Sequence, residues 1–198
     1  MDETALIDSM KNPKYKYFVP IEKLSQRIEL YIEMGQSIAI VDPLDPKDNE
    51  VLHTIEKTLL ASYDSIYIDF KKISSTCTLS KEIIQQCRKL VARYEGLDIE
   101  IEDSDYSDDY YCLNDALKKP QEISTRLGKE KSILFYCRDF THLLSLDAGK
   151  QIQEHMRAVM QYQQNIILVS RGGDKKENNA LFLNPNAPFF RYVGIIEV

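Results

Sequence analysis

A chain of 198 residues, 43% hydrophobic and 28% charged, has the size and balance of one globular domain with its own core. Its formal net charge of −6 works against direct binding to a phosphate backbone, and the cluster Lys11, Lys14 and Lys16 is too short to reverse that. No apolar run approaches the roughly 20 residues that span a bilayer, and the acidic start MDETALIDSM lacks the regions of a secretion signal, so a cytoplasmic protein is expected.

After the loop NPKYKYFVP, residues 21–34 carry helical periodicity that Gly35 stops. Ser37–Val41 reads as a strand buried on both faces. A loop rich in Asp and Pro leads to a helix from about Asn49 to Ser62, with Val51, Leu52, Ile55, Leu59 and Leu60 on its apolar face. SIYIDF, residues 65–70, is the second strand, at an interval that fits a crossover helix and parallel pairing. Residues 79–94 form the next helix, and 96–112 an acidic, tyrosine-spotted loop or insertion.

Residues 113–127 are expected to be helical, interrupted or restarted at Pro120. SILFYC, residues 132–137, is the third strand, 149–164 an amphipathic helix, and 165–169 the fourth strand. SRGGDKKENN then reads as a loop, 180–190 as an irregular segment, and 192–198 as the last strand. Strands alternating with helices predict an α/β three-layer sandwich around a mainly parallel five-stranded sheet.

The four cysteines, Cys77, Cys87, Cys112 and Cys137, show neither CxxC pairing nor zinc-ligand spacing. His53, His142 and His155 are scattered, so structural or surface roles are expected for them and no metal site is assigned. Asp103, Asp105, Asp108 and Asp109 begin with the DxD spacing of a calcium loop, but Asp108 stands where such a loop needs Gly and Asn114 where it needs Glu. A solvated loop or a partner-facing acidic surface is the better reading, and Tyr106, Tyr110 and Tyr111 favour the partner option.

A buried strand, a tight loop and an amphipathic helix are the frame in which P-loop proteins hold a triphosphate. The residues resemble the N-terminal ATPase domain of the archaeal-type ATPases, a branch of the AAA+/STAND P-loop proteins. NPKYKYFVPIEKLSQRIELYIEMGQSIAIVDP is similar to the family's first loop, helix and strand, and SIYIDF to the strand after the P-loop helix. ALKKPQEISTRLGKEKSILFYCRDF is similar to the stretch leading to Walker B, and HMRAVMQYQQNIILVSR to that of sensor 1, ending on Ser170 and Arg171. NPNAPFFRYVGIIEV, with Pro188, Phe189, Phe190 and Arg191 together, is similar to the closing PFYR-type turn and last strand.

Laid on that family, the first Walker A glycine falls on Asp42 and the later one on Lys47. The phosphate-binding lysine falls on Asp48 and the magnesium-holding hydroxyl on Asn49. At Walker B the magnesium aspartate falls on Arg138 and the catalytic glutamate on Asp139, while Pro43 and Phe140 keep scaffold positions.

A phosphate cradle needs close backbone N–H groups and a positive charge. Between Asp42 and Glu50 there is no glycine, and Pro43 and Pro46 lack the N–H. One carboxylate about 4 Å from a phosphate costs on the order of 4 kcal/mol at an effective dielectric near 20. ATP and Mg²⁺ are therefore not expected at this loop, and no other cofactor is implied. Arg138 and Asp139 are expected to pair with each other or with the Asp-rich loop, where Arg138 would neutralise Asp42 or Asp48 in place of the metal, or else Arg138 lies exposed at a strand exit. Ser170 to Gly173 read as a loop that permits positive φ, with an anion site as the weaker option.

Three readings follow. The leading one is a catalytically inactive ATPase-like domain that acts as a protein-interaction, regulatory or scaffold module, with the acidic segment and the sheet rims as contact surfaces. The others are an ATP-binding protein or ATPase with an atypical site, and an inactive subunit of a AAA-type DNA-transaction assembly, in which Arg191 draws notice. A protein partner is expected, with a homo-oligomer as a further option and no membrane. One domain is expected over residues 1–198. The helical lid and winged-helix modules that follow in the family would be absent, as in a piece of a longer protein or a naturally short relative.

Overall fold

Three segments of unbroken apolar character build the middle of the sheet. In a computed structural model, which describes residues 17–18, 21–43, 46–94, 109–128 and 132–197, they are β2 (Ile38–Ile40), β4 (Ile133–Arg138) and β5 (Ile166–Arg171). Every residue of these strands but Arg138 is buried, as for parallel strands covered by helices on both faces. β3 (Ser65–Asp69) and β6 (Gly194–Glu197) extend the sheet, giving the five expected strands. A sixth, β1 (Tyr17–Phe18), pairs with β6; two residues are too few to leave a periodic signal in sequence. The order is β1-β6-β2-β5-β4-β3, and all pairs are parallel.

Alternation along the strands sorts side chains into two cores. Ile38, Ile40, Leu134, Tyr136, Ile167 and Val169 face α1 (Ile21–Glu33) and α2 (Pro46–Ser62). Ala39, Ile66, Ile68, Phe135, Cys137 and Leu168 face α3 (Thr76–Val91), α4 (Asp109–Leu127) and α5 (Gly149–Met160). The three-layer expectation is met.

Two segments differ from the sequence reading. α4 runs unbroken through Pro120 and includes 109–112, so Asp109, Tyr110 and Tyr111 open a helix rather than close an acidic loop. Pro120 is buried beside the apolar stripe Leu113, Ala116, Leu117 and Ile123, and that packing outweighs the lost N–H. Asp103, Asp105, Tyr106 and Asp108 lie outside the described residues. The expected loop after β5 contains α6 (Lys175–Phe182). Its signal was present: Asp174 accepts from the Glu177 N–H at 2.8 Å while Glu177 accepts from the Asp174 N–H at 2.9 Å, a reciprocal cap.

Between α6 and the sheet lies an aromatic cluster. Phe140, 1% exposed, meets Phe70 and Phe189 edge-on, with centroids 5.0 and 5.5 Å away, and stacks on Phe182 at 6.0 Å. Phe140→Ala should lower unfolding free energy by about 3–5 kcal/mol in urea denaturation, and a loss below about 1 kcal/mol would contradict this packing.

Candidate functional site

In open parallel sheets, functional crevices form beyond the carboxyl ends of the strands. Here β2 is followed by Asp42, β4 ends on Arg138 with Asp139 next, and β5 ends on Ser170 and Arg171. Strand register puts Arg171 beside both Ile40 and Arg138. The positions laid on Walker B and sensor 1 therefore lie side by side, and Asp42, the first of the Walker A positions, bonds to Arg171.

Arg171 is the hub. Its Nη1 donates to Glu56 Oε2 at 2.5 Å and lies 3.3 Å from His53 Nδ1, while its Nε donates to Asp42 Oδ1 at 3.4 Å. The side chains of Arg171 and Glu56 are only 5% and 7% exposed. The Tyr136 hydroxyl donates to the same Glu56 oxygen at 3.1 Å. Arg138 Nη1 lies 3.9 Å from Glu56 Oε1 and its Nε 3.7 Å from Asp139 Oδ2. Lys71 pairs with the other oxygen of Asp139 at 3.2 Å. Arg171, Arg138 and Lys71 thus face Asp42, Glu56 and Asp139, an arrangement without net charge.

Arg138 pairs with Asp139, one of the expected alternatives, but the pairing with Asp42 needs correction. The cation on Asp42 is Arg171, and Arg138 turns to Glu56 and Asp139. Strand order supplies the reason. β5 lies between β2 and β4, so Arg138 starts two strand spacings, about 10 Å, from the β2 end. Arg138 is partly exposed at 35%, and its guanidinium hydrogen-bonds Tyr67, which raises its pKa.

Glu56 and Tyr136 were missed in the sequence. The signal was a carboxylate on the apolar face of α2, one residue past Ile55 and three before Leu59; a buried carboxylate requires a partner. The Asp42 carboxyl is raised above its ordinary 3.8 by burial, against the pull of the Arg171 guanidinium, and the charge of Asp139 raises it further. Burial, then the Glu56 charge, holds the Tyr136 hydroxyl well above the usual tyrosine range.

The loops at this end bond to one another. Asp42 N donates to Gly173 O at 3.1 Å and Gly172 N to Ile40 O at 3.3 Å. Asn49, where a magnesium-holding hydroxyl would stand, donates its side-chain amide to Pro43 O at 3.2 Å. α2 starts at Pro46, so Lys47, Asp48 and Asn49 occupy its first turn, with Asp48 suiting the helix dipole. Gly172 and Gly173 have φ of 116° and 74°, as the positive-φ reading expected. A Cβ on Gly172 would come 2.8 Å from Asp139 Cα, so only glycine lets these loops meet.

This donor set does not fit a triphosphate. Its guanidinium groups are engaged by carboxylates, the Asp42 and Gly172 N–H groups by carbonyls, and Pro46 has no N–H to offer.

The remaining candidates lie outside this network. Cys77, Cys87, Cys112 and Cys137 are free thiols, and burial pushes Cys87 up to about 12. Among the described residues no group of three or more metal-ligand side chains forms a cation site. His142 bonds Ser145, and His155 Nδ1 lies 3.3 Å from Asn114 Oδ1. Phe189 is buried in the aromatic cluster, while Arg191, at φ 56°, lays its guanidinium 4.7 Å from the Phe190 ring centroid. Among the described residues no helix is long and apolar enough to cross a membrane.

No family model and no curated protein matches the chain. Solved structures do. The Walker-type ATPase PABY2304 of Pyrococcus abyssi superposes with a TM-score of 0.62 at 14% identity, over 90% of this chain and 53% of that one. The ORC2 protein of Aeropyrum pernix, solved in ADPNP–ADP complexes, gives 0.54 at 11% identity, over 92% and 49%. The ORC1 protein of the same organism, solved in complex with DNA, gives 0.51 at 10% identity, over 89% and 43%. The chain spans about half the length of these proteins. It has the α/β fold of the archaeal Walker-type and ORC ATPases, the architecture that its sequence resemblance implied.

Proposed function

We propose that the chain is a catalytically inactive ATPase-like domain that acts through protein partners as a regulatory or scaffold module. One observation carries this reading: Arg171 is held between Glu56 and Asp42 at the crevice where its structural relatives would carry nucleotide phosphates. A triphosphate there would bring its charge against Asp42 and Asp48 and would have to take Arg171 from a carboxylate 2.5 Å away. With catalysis set aside, shape and surface recognition remain. The acidic tyrosine-rich segment around Asp103, Asp105, Tyr106, Asp108, Asp109, Tyr110 and Tyr111 offers a contact surface, as do the sheet rims.

A second reading, an inactive subunit of a AAA-type assembly for DNA transactions, draws support from the likeness in fold to the DNA-bound Aeropyrum pernix ORC1 protein. The net charge of −6 argues that such a subunit would contact protein rather than DNA.

Isothermal calorimetry with ATP and Mg²⁺ separates the inactive module from an atypical ATPase. No binding heat is expected up to about 1 mM nucleotide, and saturable micromolar binding would overturn the proposal.

The buried network should also report on stability. Arg171→Met strands Glu56 and is expected to cost about 3–5 kcal/mol in urea denaturation. Arg171→Met with Glu56→Met should recover much of that, because the uncompensated charge goes with its partner. Equal losses in the single and double variants would contradict the pairing.

Asp42 provides a pH test. Its folded pKa is raised, so the protonated form favours the fold, and that contribution fades as pH rises above 3.8 through the folded value. The stability of the native chain relative to Asp42→Asn should therefore be greater at pH 4 than at pH 7. A relative stability that instead increases with pH would mean that Arg171 outweighs burial.

A further inference from the structure

At the end of the sheet opposite the Arg171 network lies an open cleft of about 530 Å³. Its walls are the carboxyl ends of α1 and α2, Asp64 before β3, the turn after α3 and Ser132 before β4. Helix carboxyl ends carry partial negative charge, normally balanced by Lys or Arg in the last turn. Neither α1 nor α2 has a basic residue there, and α1 ends on Glu33. Glu29 stands one turn earlier, a like-charge spacing that disfavours an isolated helix.

An aromatic ring stands among these carboxylates. Burial, then the charges of Glu29 and Glu33, holds the Tyr63 hydroxyl above the usual tyrosine range. The Tyr94 hydroxyl donates to Asp64, which fixes a second ring in place. Arg93 is exposed and is the one cation among the described lining residues, against the two carboxylates Glu33 and Asp64, with Glu29 one turn before Glu33 adding to the excess. Carboxylates beside aromatic faces recognise guanidinium in particular, through paired N–H donors and stacking of the planar cation on a ring.

We propose that this cleft docks an arginine side chain presented by a protein partner. The volume exceeds what one guanidinium fills, leaving room for the arginine stem and flanking peptide. The acidic balance of the whole chain also favours encounter with a basic partner segment. The assignment uses none of the crevice residues, so it stands or falls independently of whether Asp42–Asn49 binds nucleotide.

The test is an amide chemical-shift titration of the full ¹⁵N-labelled chain at low salt with acetyl-Gly-Gly-Arg-Gly-Gly-amide, and with the same peptide carrying citrulline in place of arginine. Shifts should concentrate at Ile32, Glu33, Ala61 to Asp64, Arg93, Tyr94 and Ser132, saturating at millimolar peptide. The uncharged citrulline peptide should bind at least about tenfold more weakly. Glu33→Gln, at an exposed position, should weaken the arginine peptide by roughly two- to fivefold while leaving the spectrum otherwise unchanged.

Equal response to both peptides, shifts spread elsewhere, or none by about 10 mM arginine peptide would overturn the proposal. The same shifts on adding calcium chloride alone would reassign the cleft to an inorganic cation. A concentration-dependent dimer that Glu33→Gln dissolves would make a second copy the occupant, and would equally overturn a partner's arginine.

Discussion

A guanidinium almost out of contact with water requires carboxylates around it, and Arg171 has two. Glu56 comes from α2, Asp42 from just beyond β2, and Arg171 itself from the end of β5, so one side chain ties together the sheet, a helix and the loop between them. The loops close over the same place: Gly172 and Gly173 exchange backbone hydrogen bonds with Ile40 and Asp42, and Asn178 caps the Gly172 carbonyl at 2.9 Å. Among the described residues, the Arg171 guanidinium and the Asp42 and Gly172 N–H groups are thus engaged by the chain's own acceptors.

The relation between fold and chemistry follows from that balance. The α/β layers need only apolar strands, amphipathic helices and parallel pairing, and all of these persist at 10–14% identity to ATPases of known structure. The phosphate loop needs glycine, a lysine and a hydroxyl at fixed positions, and this chain supplies carboxylates and prolines. On the proposed reading, strand-end side chains at the crevice must be satisfied without a nucleotide. The internally neutral cluster of three cations and three carboxylates would do so while the architecture is kept.

Much of this was legible in the residues. The apolar runs at 38–41, 133–137 and 166–169 announced buried parallel strands, and the Asp and Pro content of 42–48 announced the break between β2 and α2. The pairing of Arg138 with its neighbour Asp139 was legible, but its pairing with Asp42 is not what forms, because sequence spacing does not reveal that β5 inserts between β2 and β4. Glu56 went unread because helical periodicity was scored on apolar residues, and a charge on the apolar face has meaning only once its partner is known. α6 went unread for another reason. The polar look of DKKENN outweighed the reciprocal Asp174–Glu177 cap, although that cap was written in four consecutive residues. The cleft at the other end has no linear signature, since four separate segments build it.

The most direct measurement is a crystal structure of the chain grown with Mg²⁺ and a non-hydrolysable ATP analogue. The account predicts Arg171 still paired with Glu56 and Asp42, with no nucleotide against the first turn of α2. Phosphates seated at Asp42–Asn49, with Arg171 turned away from Glu56 to meet them, would contradict it.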